Sequence, residues 1–456
     1  MNIYIHLEIL DREIDSKLTL AMLAASRGHH VIVSDQESII KGLTRKFLFP
    51  GIFHTKSLSP GESKIKIHDR IINTGCKITS IDEEGGLVDY GYRKFAKDRY
   101  SNRTLKQASA VFTWGPEDSQ TLKKIYPKYS KKIYMTGSAR ADVWQPFFKN
   151  YWKRNFRKFT KPFLLVSSNL GGPLCKKSLQ ERFKIAKKAG YFNRNPQFRK
   201  TFFQREKEQS KLIVLFTNAI KHLSTKNKKY DIILRPHPEE NIYLWKDILS
   251  NLPNVKVIYD DTISYWVANS FAVMHNGCTT AVEASLFRKP VVSYIPFKSR
   301  FLRDLANGLG YKVTSDKELA NTVNNLYNNS KSKNKKKINK SIPKILSKKI
   351  FVDEKEFAAK KMIRVWESIS DETLKKLNNW IIFWLSLKVM KFNGTIFRFF
   401  KKTFSKNHKI KRNYKFPPFN KEKINNKIKE LEKLLRLKNK LDYKLLSDRT
   451  ILIKPK

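Results

Sequence analysis

MNIYIHLEILDREIDSKLTLAMLAASRGHHVIVS, residues 1–34, decides the fold class. Asn2–Leu7 is a short apolar run and Ser16–Arg27 carries apolar residues at helical spacing. Gly28 stops that helix, and His30–Ser34 is a second, β-branched run. A strand–helix–strand unit this short predicts a parallel pair joined by a right-handed crossover, and therefore an α/β domain.

Working outward, further strands are expected at Lys77–Ile81, Ala110–Thr113 and Lys132–Met135, each followed by a Gly-containing loop. Residues 1–150 then form one open-sheet domain. Trp144–Lys161 is aromatic and basic without a clear period and reads as a linker. A second α/β series occupies residues 160–370, with strands at Phe163–Ser167, Tyr230–Leu234, Val255–Ile258, Phe271–Met274 and Pro290–Tyr294. It carries a polar insertion at 172–210 that has no assignable place, and Asp353–Ser368 reads as a late helix. The expected architecture is two Rossmann-like domains facing a cleft, with ligands beyond the carboxyl ends of the strands. Residues 371–456 differ in kind and read as a basic, mostly helical extension. Within it, WIIFWLSLKVM (Trp380–Met390) is densely apolar and Leu431–Leu446 fits one amphipathic helix.

The chain carries 92 Lys and Arg against 40 Asp and Glu over 456 residues, a formal net charge of +52. Part of this excess is compositional, because Lys dominates and selective phosphate or base readout favours the planar fork of Arg. Lys331–Lys349 has Lys and no acid, as expected of a solvated loop. A hydrophobic fraction of 41% excludes disorder throughout. Cys76, Cys175 and Cys278 lie too far apart to suggest a disulfide framework or a Cys-rich zinc site, which fits a reducing cytosol. Glu8 and Asp11 interrupt the first apolar run, so no signal peptide is expected there, and no apolar run reaches the roughly 20 residues of a spanning helix.

Three loops after strands carry most of the candidate chemistry. In HNGCTTAVEA (His275–Ala284), Asn276 and Gly277 lead into a helix opened by Thr279 and Thr280, with Glu283 in its first turn. Free amides at such a turn suit a phosphate, and Glu283 suits ribose hydroxyls. Thr280-Ala-Val-Glu283 equally fits a capping box that needs no ligand. In RPHP (Arg235–Pro238), two prolines stiffen a turn holding Arg235 and His237, a phosphate partner and a proton donor, or else a local ion pair and a turn histidine. In DEEGG (Asp82–Gly86), the successive carboxylates Asp82, Glu83 and Glu84 are expected to crowd and raise one another's pKa, as a general base requires. Plain salt bridging is the alternative in so basic a chain. Glu8, Arg12 and Glu13 form a further polar set after the first strand and can reach the same site. TGSARAD (Thr136–Asp142), Ser167–Asn169 and Thr113–Asp118 follow strands too and fit ordinary turns equally well. The absence of Walker A, HExxH, GxSxG and Asp-x-Asp patterns argues against an NTPase, a zincin or an α/β-hydrolase.

LEILDREIDSKLTLAMLAASRGHHV, DEEGG, FTWG, TGSARAD, RPHPEE and HNGCTTAVEA, taken in this order, resemble bacterial surface carbohydrate biosynthesis proteins, glycosyltransferases of the GT-B architecture. The likeness covers about residues 1–300. It departs at Ser138-Ala139, where Asn-Pro is expected. DDTISYWVANSFAVMHNGCTTAVEASLFRKPVVSY also looks like the donor half of teichoic-acid-type glycerophosphotransferases, and the His-Pro dipeptide resembles transferases using CMP-linked Kdo or sialic acid. The resemblance implies a nucleotide-sugar donor held by Arg235, His237 and residues 276–283, an acceptor on the DEEGG side, and no metal or other cofactor. Glu83 or Glu84 would take the acceptor's proton while positive groups stabilise the leaving phosphate. A lipid-linked or growing glycan acceptor would place the enzyme in the cytoplasm at the inner face of the membrane. There the segment around Trp380–Met390 can lie on anionic headgroups, unless it is a core helix. A CDP-glycerol-type phosphotransferase is the alternative enzyme. A basic nucleic-acid-binding protein is the non-enzymatic one, disfavoured by the Lys-dominated tail; no nucleic acid partner is expected.

Overall fold

The computed structural model describes residues 1–153, 159–188, 190–194, 197–332, 342–374, 376–389, 391, 416–437 and 439–456. Residues 333–341 of the Lys-rich run, and Phe392, Ile396, Phe397, Phe399 and Phe400, lie outside the described residues. The chain divides into two compact units, Met1–Val143 with Ser347–Lys456, and Trp144–Leu346.

In the first unit β1 (Asn2–His6), β2 (His30–Ser34), β3 (Ile52–Thr55), β4 (Lys77–Ile81), β5 (Ala108–Thr113) and β6 (Ile133–Met135) form a parallel sheet in the order β2-β1-β3-β4-β5-β6. Strand order reverses between β1 and β3, the point at which an open α/β sheet opens a crevice. β3 escapes the sequence pattern because its four residues, Ile-Phe-His-Thr, are short and end polar. The helix Leu10–Ala25 starts six residues before the expected Ser16. Its polar residues Glu13, Asp15, Ser16 and Lys17 are buried, which hides the apolar period.

The second unit is a fully parallel sheet of β7 (Phe163–Ser167), β8 (Asp231–Arg235), β9 (Val255–Val257), β10 (Ala272–His275), β11 (Val291–Tyr294) and β12 (Tyr311–Val313). Its order, β9-β8-β7-β10-β11-β12, is the doubly wound Rossmann order with the switch point between β7 and β10. Both central strands are buried along their whole length, as covered parallel sheets require. Leu164, Val166, Ile232, Leu234, Met274 and Val292 share one core with Phe216 and Leu223 of the helix Gln197–Lys226. Residues 197–210 of the polar insertion therefore belong to a helix that continues to Lys226 and packs on this sheet.

Several boundaries differ from those expected. Residues 144–153 are no linker: the buried Trp144 donates Nε1–H to Ser264 Oγ at 3.1 Å, and Asn269 Nδ2 donates to the Trp152 carbonyl at 2.9 Å. The late helix is Ala358–Ser368 and belongs to the first unit, where the Ala358 and Ala359 amides donate to Asp142 at 3.0 and 2.9 Å. The segment 371–456 also packs with that unit instead of extending from the second. The expected helix Leu431–Leu446 breaks in two. Lys421–Leu435 is helical, Arg436 turns left-handed at φ 47°, and the chain returns as a hairpin of β13 (Leu441–Ser447) and β14 (Thr450–Pro455). β14 pairs antiparallel with the edge strand β2, and the unpaired edge of a parallel sheet is thereby covered.

Candidate functional site

In the second unit the carboxyl ends of β7, β8, β10 and β11 share one edge of the sheet. There His275, fully buried, organises the turn after it. Gly277 and Cys278 donate their amides to His275 Nδ1 at 2.9 and 3.3 Å, so the proton sits on Nε2 and is given to Ser293 Oγ at 3.0 Å. Burial pulls this imidazole down to about 3, which keeps it neutral. Two of the amides expected to face a phosphate are therefore turned inward onto a ring. The expected capping box does not form either. Thr280 is the first residue of the two-turn helix Thr280–Leu286, and its hydroxyl lies 3.1 Å from both Ser167 Oγ and Cys278 Sγ. Glu283 accepts from Ser264 Oγ at 2.6 Å. Thr279 precedes the helix, and Gly277 takes φ +92° with Asn169 Nδ2 on its carbonyl at 3.3 Å.

After β8, Arg235 points both Nη groups at the carbonyls of Asp260 and Asp261 and lies over the Tyr259 ring at 5.1 Å. Its fork thus holds a neighbouring loop. His237 Nδ1 accepts the Glu239 amide at 3.3 Å, which leaves the proton on Nε2. Burial lowers its pKa, opposed by Glu240 and Glu239, so His237 is a neutral donor near pH 7. Glu240, the last residue of RPHPEE and not among the candidate site residues, fixes the loop after β7. Its carboxylate accepts from Ser168 Oγ at 2.5 Å, Leu170 N at 2.8 Å, Gly171 N at 3.2 Å and Trp245 Nε1 at 2.8 Å. Gly171 and Gly172, at φ +63° and +56°, lie under Gln209 of the helix Gln197–Lys226.

The loops after β7, β10 and β11 and that helix line a partly open pocket at the switch point, the place where ligands bind in such sheets. Asn169, Arg205, Glu208, Asn276, Arg303 and Asn307 supply its polar lining. Asn307 is 5% exposed, and neither its Oδ1 nor its Nδ2 has a hydrogen-bond partner; Asn276 Oδ1 is buried and unpartnered as well. Glu208 accepts from Ser299 Oγ. Burial and then the neighbouring Arg303 lower the pKa of Arg205. Of these residues only Asn276 and Asn169 belong to motifs visible in sequence. Arg205 lies in the unplaced insertion, and Arg303 and Asn307 come after β11 in a stretch without a recognisable pattern.

In the first unit the DEEGG carboxylates do not crowd. Asp82 takes Arg99 at 2.7 Å, Glu83 takes Lys17 at 2.5 Å and Glu84 takes Arg12 at 2.8 Å. The expected mutual rise in pKa is therefore not what is found. Asp82 is raised, chiefly by burial and against Arg99, with only a smaller upward push from the Glu84 charge. Glu83 is held down to about 2, because Lys17 and Arg140 outweigh its burial. Glu8, Arg12 and Glu13 do meet this set: Arg12 bridges Glu84 and Glu13, the latter at 3.3 Å, Glu13 Oε2 accepts the Glu8 amide at 3.1 Å, and Glu8 pairs with Lys56 at 2.7 Å. Asp118, in the Thr113–Asp118 turn, accepts the Trp114 amide at 3.2 Å and is pushed up to about 8 by burial. Trp114 in turn donates Nε1–H to the Asp82 carbonyl at 2.7 Å.

No protein-family model matches the chain, and no curated protein matches it in sequence. Among solved structures the fold is similar to UDP-GlcNAc 2-epimerase of Methanocaldococcus jannaschii in complex with UDP-GlcNAc and UDP, at 14% identity and a TM-score of 0.48 over 81% of this chain and 100% of that one. It is also similar to UDP-GlcNAc 2-epimerase of Neisseria meningitidis bound to UDP-GlcNAc, at 12% identity and a TM-score of 0.44 over 81% of this chain and 100% of that one.

Proposed function

We propose that the chain is a nucleotide-sugar-processing enzyme and, within that class, a glycosyltransferase using a nucleotide-activated donor. The observation that carries the reading is the switch-point cavity of the second unit, lined by Arg205, Arg303, Asn276 and Asn307, the last a buried amide without a hydrogen-bond partner. A polar cavity whose donors and acceptors have no protein partner is completed by a polar ligand. The donor's phosphate would lie against the 276–280 turn and accept from His237 Nε2, and Glu283, already fixed by Ser264, would accept from ribose hydroxyls. The His237 Nε2 proton would offset charge gathering on the leaving phosphate. Arg235 supports this site through the loop at Asp260 and Asp261. On the acceptor side, Glu84 is the most exposed of the three DEEGG carboxylates, with Arg12 orienting it, and we assign it the acceptor proton. Asp82 and Glu83 hold the loop that carries it.

The test is a thermal-shift panel of CMP, UDP, GDP and CDP-glycerol on the wild-type chain and on His237→Ala. Stabilisation by one nucleotide, weakened in the variant, supports the reading. No shift with any nucleotide defeats it.

The acceptor is proposed to be membrane-borne. Among the described residues no helix is long and apolar enough to cross a membrane. The helical stretch 380–389, however, buries Phe383 and Leu387 in the first unit's core while Ile381, Ile382, Leu385 and Val389 stand 48–57% exposed along one face. This spacing is a single apolar stripe. Lys388 and Lys444, over Trp384 and Trp380 at 4.2 and 4.1 Å, lie on the same element's surroundings, and the chain is strongly cationic. An anionic bilayer surface matches both the stripe and the charge. Vesicles containing phosphatidylglycerol are expected to retain the wild type and release Ile382→Glu/Leu385→Glu. Equal retention of both forms removes the membrane assignment.

A further inference from the structure

We propose that the switch-point cavity accepts the carboxylate of an acidic sugar, with Arg205 and Arg303 taking the oxyanion and the Asn307 amide and Asn276 Oδ1 taking neighbouring hydroxyls. The inference deepens the nucleotide-sugar reading and rests on it.

Two guanidinium groups from distant parts of the chain are brought to one cavity, Arg205 from the long helix and Arg303 from the segment after β11. Among the described residues neither forms an ion pair; burial first and then Arg303 lower the pKa of Arg205, with Glu206 opposing them. The carboxylates within reach are committed elsewhere: Glu206 holds Arg182, and Glu208 accepts from Ser299. Two guanidinium groups face the one carboxylate of the cavity's described lining, Glu208, so a positive charge is left over that an incoming anion offsets, and a guanidinium fork fits a carboxylate in two parallel hydrogen bonds.

The net charge of the lining chooses among anions. Arg205, Arg303 and Glu208 sum to a single positive charge, which matches a monoanionic carboxylate better than a dianionic phosphate. The uncharged lining describes the rest of the ligand. Asn307 offers one acceptor and two donors, all without a partner at 5% exposure, and Asn276 offers one more acceptor. Leaving such a group unsatisfied costs on the order of 1–3 kcal/mol, so the arrangement is suited to a ligand that both donates and accepts, as vicinal hydroxyls do. A purely apolar ligand would leave these atoms as they are. A neutral hexose would satisfy the amides but not the arginines. The inserted residues 172–210 thus contribute a specificity element to the donor subsite.

The experiment compares ligands that differ at one group. Binding of UDP-glucuronate and UDP-glucose, and of CMP-N-acetylneuraminate and CMP, is measured by calorimetry on the full chain, Arg205→Met, Arg303→Met and Asn307→Leu. For the nucleotide that binds, the acidic sugar is expected to bind roughly tenfold tighter than its partner, and each arginine variant is expected to erase that advantage. The affinity for the bare nucleotide should stay within about twofold. Equal binding of acidic and neutral sugars overturns the inference while leaving the nucleotide-sugar reading intact. Equal weakening of the bare nucleotide by the arginine variants also overturns it, because the arginines then serve the nucleotide phosphate. If neither nucleotide binds, the broader reading fails, and glucuronate against glucose and inorganic phosphate at millimolar concentration decides the subsite alone. Glucuronate binding lost in Arg205→Met supports it, and binding of inorganic phosphate in its place overturns it.

Discussion

Both units place polar side chains at the carboxyl edge of a doubly wound sheet, yet they dispose of the charge in opposite ways. In the first unit each carboxylate after β4 has its own cation, and Glu8 and Glu13 are likewise tied. In the second, the cations Arg205 and Arg303 face a cavity with a buried amide that has no partner. Fold alone therefore does not make a binding site. Glu83 Oε2 and Arg12 Nε in the first unit are also buried without a hydrogen-bond partner, so what separates the two edges is charge balance, and an unbalanced edge attracts a charged ligand. In the first unit Glu84 is the most exposed of the three loop carboxylates, and in the second the Asn307 amide is buried and unpartnered.

The largest effect is expected at Lys17. Both partners of the Lys17–Glu83 pair are almost fully buried, so Lys17→Met strands a carboxylate, with an expected loss of about 3–5 kcal/mol by denaturant unfolding. Lys17→Met/Glu83→Gln should recover most of it. The same pair sets a pH dependence. Glu83 is depressed to about 2 in the folded state, so its contribution is present above its unfolded value near 4.5 and is lost as pH falls from there to about 2. The double variant should lack this acid limb; an unchanged limb would show that Glu83 is not its source.

The next effect is expected at His275. His275→Ala removes the acceptor of two buried amides and is expected to cost about 2–3 kcal/mol, together with nucleotide binding. A variant of normal stability would mean that the turn is held by other contacts. A change of opposite sign is expected at Asn307. Because its amide is unsatisfied without ligand, Asn307→Leu should stabilise the ligand-free protein by about 1 kcal/mol while abolishing sugar recognition, read from unfolding midpoints and calorimetry. A destabilised variant would show that the amide does structural work. The smallest effect belongs to an exposed pair in the first unit: Lys94→Met, which parts Lys94 from Asp98 at 3.1 Å on the helix Tyr92–Arg99, should change stability by less than about 0.5 kcal/mol.

Where the sequence could be read, it was read through local signals. The runs Asn2–Leu7, His30–Ser34, Lys77–Ile81 and Phe163–Ser167 are strands because buried parallel strands are continuous and apolar, a property of the residues themselves. The loops RPHP, DEEGG and HNGCTT were legible as strand ends for the same reason. Their internal wiring was not. DEEGG reads as three adjacent like charges, but a strand end fans successive side chains apart, and their cations come from residues 12, 17 and 99. In RPHP the fork of Arg235 is taken by the carbonyls at 260 and 261, which no spacing near Arg235 announces.

Sequence by itself determined the α/β class and the two mainly parallel sheets, because alternation of strand and helix and the handedness of the crossover are local consequences of chain geometry. Only the tertiary structure decided that residues 347–456 return to the first unit and that β14 completes its sheet, a pairing with β2 across more than 400 residues of chain. It also decided which polar groups are satisfied and which are left open. That distinction depends on partners brought from distant segments, such as Arg205, Arg303 and Asn307 around one cavity, and burial gives it its energetic weight.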